Sequence, residues 1–270
     1  MNVRPPAVAG LFYPDRCSAL SDLVDRLLAE GETPGLAGDP ACMFSAESPP
    51  VALVVPHAGY PYSGPIAASG YRLLLGDHRH RRVALLGPSH RIGFEGIALS
   101  SANAFTTPLG EVTVDDGLQE LAIALEAVQV LDDAHAMEHS LEVHLPFLQR
   151  VLPSASALPL VVGEVDPEIV HQLLNALTSL SDTLIVVSTD LSHYLDYDSA
   201  NRADARTVKK IEALQDAIHP HEACGCRALN GLMTYARTEG LHVHVLDVRN
   251  SGDTAGPQDR VVGYGAFALH

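Results

Sequence analysis

The sequence predicts a single α/β domain, with a mostly parallel central sheet flanked by helices, and three observations carry that expectation. Runs of strand length (VALVV, RVALL and TLIVVS) are continuously Val/Ile/Leu-rich inside their ends instead of alternating, as strands buried on both faces read. Segments of helical periodicity separate these runs, the βα alternation that builds a parallel sheet covered on both sides. Each run also leads into a histidine: His57, His90, and His193 with Asp190. The carboxyl ends of such strands open onto the crevice where α/β proteins bind ligands.

The chain has 270 residues, 47% of them hydrophobic and 19% charged, which fits one well-packed domain spanning 1–270 and argues against disorder. A formal net charge of −16 argues against nucleic acid or an acidic membrane surface as partner, because both demand a basic face. No apolar run approaches the roughly 20 residues of a membrane span. The opening MNVRPPAVAG lacks a basic stretch followed by an apolar one, so a cytoplasmic location is expected. Cys17, Cys42, Cys224 and Cys226 are too few and too irregular for a disulfide framework.

In order along the chain, Leu20, Leu23, Val24, Leu27 and Leu28 after Ser18 read as a capped amphipathic helix ending at Gly31. A Gly/Pro/Ser-rich loop is expected over 33–50, then strand 51–55, the His57 turn and a helix over 65–75. Strands follow at 82–86 and 97–99, and Pro108–Gly110 marks a hairpin. Helices are expected at 117–127, 140–151, 167–180, 200–214 and 221–238. Strands are expected at 157–162, 183–188, 242–248 and 261–268.

The chemistry gathers at the strand ends. Neutral imidazole is the commonest metal ligand, so several delivered to one sheet edge make a metal site in waiting. Asp190 and His193, if they enter a helix, share a face, and a carboxylate beside an imidazole fixes its tautomer for acid–base work. In E-H-S-L-E-V-H, His139 and Glu142 share a helical face and His144 follows, whereas Glu138 reads as a solvated carboxylate. The segment is not H-E-x-x-H, so a metalloprotease has no support. Cys224, near a helix start, would have its thiol pKa lowered by the dipole and be the reactive cysteine. Cys17 and Cys42 read as structural, with Cys17 packed on the core.

The ordered motifs R-P-P-A-V-A-G-L-F-Y-P, P-H-A-G-Y-P-Y-S-G, G-P-S-H, T-P-L-G, E-H-S-L-E-V-H-L-P, S-T-D-L-S-H-Y, A-C-G and S-G-D-T-A-G…V-V-G-Y-G-A resemble the Memo family over nearly the whole chain. That family is similar in fold to class III extradiol dioxygenases. The resemblance implies a metal held by His57, His90 and Cys224, with Asp190 and His193 lining the same pocket as the catalytic pair. His139, Glu142 and His144 fall in a matching segment without individual roles. Cys226 departs from the pattern and could compete as ligand or pair with Cys224. A thiolate in place of the dioxygenases' carboxylate points away from ring cleavage.

Two function classes follow. The first is a metal-dependent oxidoreductase using iron or copper, with zinc hydrolysis as its redox-inactive variant. The second is a peptide-docking adaptor using the same cleft, as animal members of the family are described. The expected ligand is a small molecule or peptide. Family context implies AMMECR-type and radical S-adenosylmethionine partner proteins.

Overall fold

The computed structural model describes residues 2–30, 44 and 48–270. The expected loop over 33–50 and Cys42 therefore fall largely outside the described residues. A nine-stranded sheet forms the centre, in the order β10 (His193–Leu195), β12 (Val261–Leu269), β2 (Ala52–Val55), β9 (Thr183–Ser188), β3 (Arg82–Pro88), β8 (Ser156–Val162), β4 (Ile97–Leu99) and β7 (Val128–Val130), with β11 (Val243–Asn250) also paired to β12. β2, β9, β3 and β8 run parallel, and their residues are almost all fully buried, as the continuous apolar runs require.

The sheet is mixed. β12 pairs antiparallel with β2, β10 and β11, and β4 pairs antiparallel with β8. The expectation of a mostly parallel sheet holds for the centre and fails at the flanks. The connection from β11 to β12, residues 251–260, is too short for the crossover a parallel neighbour needs, while the other antiparallel pairs join strands distant in sequence. A smaller sheet joins β1 (Val3–Arg4), β5 (Ala104–Thr107) and β6 (Gly110–Thr113). Its β5–β6 hairpin turns at Pro108–Leu109, with Gly110 at φ +127° where a side chain would be strained.

Helices α1 (Cys17–Glu30), α2 (Tyr60–Tyr71), α5 (Leu145–Val151), α6 (Pro167–Thr178), α7 (Tyr197–Glu212) and α8 (Cys226–Glu239) cover the sheet, and the short α3 (Asp116–Ile123) and α4 (Asp132–Ala136) sit beyond β6 and β7. α1 buries Leu20, Val24, Leu27 and Leu28, the stripe that its spacing predicts, and leaves Cys17 exposed instead of packed. The helix expected over 140–151 is shorter. It starts at Leu145 after a 3-10 turn, because backbone N–H groups just before it bind the Glu138 carboxylate. Residues 190–193 form no helix: the chain passes from β9 into β10, so Asp190 and His193 do not share a helical face. α8 begins at Cys226 with Gly225 as its N-cap, which leaves Cys224 just outside the helix.

Candidate metal centre

Parallel register builds the first half of the site. Val55 on β2 lies beside Ser188 on β9, so both strands end at one level and His57, two residues past β2, sits against Ser188. Proline at 56 has no N–H to extend the ladder, and the chain turns there. His57 Nδ1 is 2.6 Å from Ser188 Oγ, and His144 Nε2 is 2.8 Å from the same oxygen. That hydroxyl has one proton, which it donates to the Ser140 carbonyl at 2.6 Å. Both imidazoles must then be donors. His57 is the Nδ1–H tautomer, and its Nε2 lone pair faces the cleft.

Glu138 builds the other half. The carboxylate accepts from the backbone N–H groups of His90 (2.7 Å), His139 (2.9 Å) and Ser140 (2.9 Å) and from His90 Nδ1 (2.9 Å), and lies 3.3 Å from His139 Nδ1. Burial alone would raise its pKa. The hydrogen bonds and positive potential of His90 outweigh burial and bring it down to about 2. It is 2% exposed, so the solvated reading of Glu138 is overturned. With its Nδ1 on this carboxylate, His90 presents Nε2 outward, the arrangement that orients metal-ligating histidines, while the same carboxylate holds the His139 backbone.

The three imidazoles converge. His57, His90 and His139 each offer a ring nitrogen, and these nitrogens lie within 4.8 Å of one another. The ring centroids are 4.5 to 5.5 Å apart. Burial lowers the pKa of His57 well below its ordinary value and brings His139 to about 4, so both are neutral with free lone pairs at neutral pH. Such a group can hold a metal ion.

Cys224 stands beside this group, not in it. Its Sγ is 3.3 Å from His57 Nε2 and accepts from the Asp190 N–H at 3.2 Å. Burial, then the nearby Asp190 charge, push the thiol pKa up. The expected lowering at a helix start is overturned, because Cys224 lies outside α8 and is desolvated. His139, which the sequence left without an individual role, belongs to the imidazole group. Cys226 is buried and carries a free thiol, with no disulfide among the described residues.

Asp190 does not reach His193. Its Oδ1 accepts the His57 backbone N–H at 2.8 Å and its Oδ2 is 4.0 Å from His57 Nε2. Burial pushes its carboxyl up to about 7, against the His57 backbone hydrogen bond. His193 opens β10 opposite Val262, half-buried, with its pKa lowered by burial. Next to it Tyr194 adopts φ +61°, a strained conformation at the rim, with Arg260 over its ring.

Two other sequence candidates leave the site. The buried Glu142 carboxylate pairs with Arg4 and accepts from Ala7 N (2.7 Å), Val8 N (3.0 Å) and Tyr13 Oη (2.5 Å). Every lone pair faces the N-terminal segment, so Glu142 anchors the fold. His144 donates to Ser188 and is fully buried. Sequence reasoning missed Glu138, which the adjacency E-H in a segment already rich in histidine could have flagged.

Beside Cys224 opens a cavity of about 230 Å³ lined by Ile92, Phe94, Pro220, Cys224, Cys226 and Arg227, among others. Arg227 is paired with Glu164 on its wall. No helix among the described residues is long and apolar enough to cross a membrane.

A mixed α/β sheet with three imidazoles converging beside its strand ends defines an α/β protein with a candidate metal centre. The chain belongs to the Memo-like protein family, whose model matches residues 4–268. It is 34% identical over 281 residues to a MEMO1 family protein of Aquifex aeolicus, covering 98% of each chain. It is 33% identical to one of Ignicoccus hospitalis, again with 98% of each covered. The crystal structure of an uncharacterized Escherichia coli K12 protein matches with a TM-score of 0.55, covering 80% of this chain and 98% of that one. At 12% identity that likeness shows the fold alone.

Proposed function

We propose that this protein is a metal-dependent oxidoreductase acting on a small molecule, with iron or copper held by His57, His90 and His139 and the Cys224 thiol alongside. The observation that carries the reading is the convergence of three imidazoles, whose ring nitrogens lie within 4.8 Å of one another, with Ser188 holding the His57 ring and Glu138 the His90 ring. Imidazole with a neighbouring sulfur suits iron, copper or zinc. When bound, the ion supplies electron exchange and Lewis acidity.

The chain's own groups handle protons. The Asp190 carboxyl, near pKa 7, can hold or release one beside His57 and Cys224. His193, neutral and at the rim, can exchange one with solvent. The cavity of about 230 Å³ beside Cys224 would admit a small molecule but not most of a peptide. A phosphopeptide adaptor would need a cluster of free Arg or Lys. Here the basic residue in that wall, Arg227, is already paired with Glu164.

Zinc hydrolysis is the second reading, favoured by the three-imidazole set, which is a donor set of catalytic zinc. Metal analysis of untagged protein comes first, then dioxygen uptake by iron- and copper-loaded protein against His139→Ala and Cys224→Ser. Uptake that both substitutions abolish supports the redox reading. Turnover by zinc-loaded protein alone would replace it, and tight phosphopeptide binding by inactive loaded protein would favour the adaptor.

A further inference from the structure

We propose that His244 and His270 form a second transition-metal site on the β11–β12 hairpin, with His242 on the same face, suited to divalent copper or nickel. The site follows from strand geometry. His242 and His270 exchange both backbone hydrogen bonds, N–H to carbonyl at 2.9 and 3.2 Å, so they stand directly opposite each other. His244 opposes Ala268 two residues along. Residues two apart on a strand point to the same face, and directly opposed residues share that face. Three imidazoles are therefore displayed on one side of one hairpin.

The His244 and His270 rings already meet. His244 Nε2 lies 2.9 Å from His270 Nδ1, and the His242 and His270 ring centroids are 6.1 Å apart. Two imidazole nitrogens at that separation share either one proton or one cation. With metal–nitrogen bonds of about 2.1 Å, a 2.9 Å separation subtends an angle of about 90° at the ion. A right angle matches the tetragonal preference of Cu²⁺ and Ni²⁺ over the tetrahedral preference of Zn²⁺. Phe44, itself buried, sets an edge against both rings at 5.5 Å and limits their rotation.

This hairpin end is remote from the first centre. Leu269 pairs with Ala52 at the start of β2, whereas His57 follows the end of that strand. Five residues of extended chain separate the two levels by about 16 Å. The second site therefore does not depend on the first.

Untagged, chelator-stripped protein titrated with Cu²⁺ and with Ni²⁺ tests the proposal. The wild type should bind one equivalent more than His244→Ala/His270→Ala, and that extra copper should give a nitrogen-coordinated spectrum by electron paramagnetic resonance. On the wild type itself, Ni²⁺ should protect His244 and His270 from carbethoxylation, read peptide by peptide. Equal stoichiometry in the folded double variant would overturn the site. Unprotected His244 and His270 peptides at saturating Ni²⁺ would overturn it as well, with no variant required.

Discussion

Glu138 grips His90 twice, with one carboxylate oxygen on its backbone N–H at 2.7 Å and the other on its ring Nδ1 at 2.9 Å. The ring therefore has neither positional nor tautomeric freedom, and the same carboxylate tethers the backbone of His139 and Ser140. One buried charge sets the geometry of two candidate ligands.

Replacing it should separate binding from folding. Glu138→Gln keeps the shape but offers an N–H where His90 donates, and metal affinity should fall about 10- to 100-fold, as when a ligating histidine loses the group that orients it. Calorimetric titration of the purified variant measures this. An unchanged affinity, with the variant folded, would show that ring anchoring is not what prepares the site.

Ser188→Ala removes the acceptor of two imidazole donors and the donor to the Ser140 carbonyl. Each buried group left unsatisfied costs about 1–3 kcal/mol, so a stability loss of at least the upper figure is expected by urea unfolding. A loss below about 1 kcal/mol would mean that water replaces the hydroxyl.

Arg4→Met should break the buried pair with Glu142 and destabilise by about 3–5 kcal/mol, because the carboxylate stays desolvated and uncompensated. Arg4 also donates to the Glu138 and His135 carbonyls, so its loss reaches the metal centre as well, whereas Tyr13→Phe removes only a hydrogen bond to Glu142 and should leave metal affinity unchanged. That outcome separates Glu142 as an anchor from the role suggested by its neighbourhood in sequence.

Acid should weaken the metal-free fold. Burial lowers His135 to about 4 and His144 to about 3, against 6.5 when unfolded. Below pH 6.5 the unfolded chain takes up protons that the folded chain refuses, so stability falls as pH drops toward 4. By pH 4.5 the loss is on the order of 2 kcal/mol per histidine. Asp190, raised to about 7, acts oppositely: the folded chain holds a proton that the unfolded chain releases above 3.8, so its contribution declines as pH rises to 7. Urea midpoints between pH 4 and 7, with chelator present, should therefore climb with pH, and more steeply in Asp190→Asn.

Gly225→Ala should damage the Cys224 corner. Its backbone angles suit any residue, but an added Cβ would lie 2.4 Å from the Ser188 carbonyl oxygen and 2.7 Å from Thr189 Cβ. Since the oxygen belongs to the sheet, the Cys224 loop has to move. Slower alkylation or altered spectra of cobalt-loaded protein would register a shifted thiol, and wild-type behaviour in both would contradict the crowding.

Apolar runs determined the central strands by themselves. VALVV, RVALL and TLIVVS had no other way to bury a continuous Val/Ile/Leu surface, and the histidines that follow them had to emerge at one sheet edge. The stripe of α1 and the hairpin at Pro108–Gly110 were equally local, set by periodicity and by turn chemistry. Tertiary structure alone decided which groups around that edge belong together. Glu138, Glu142, His139 and His144 lie within seven residues, yet they divide between the site and its supports according to whether Ser188, Arg4 or His90 faces them. Those partners lie 44 to 138 residues away, or across a strand pairing that no local pattern encodes. The pKa of Cys224 turned on the same point: proximity to a helix start is visible in sequence, whereas the burial that overrides it exists only once the chain has closed around the sulfur.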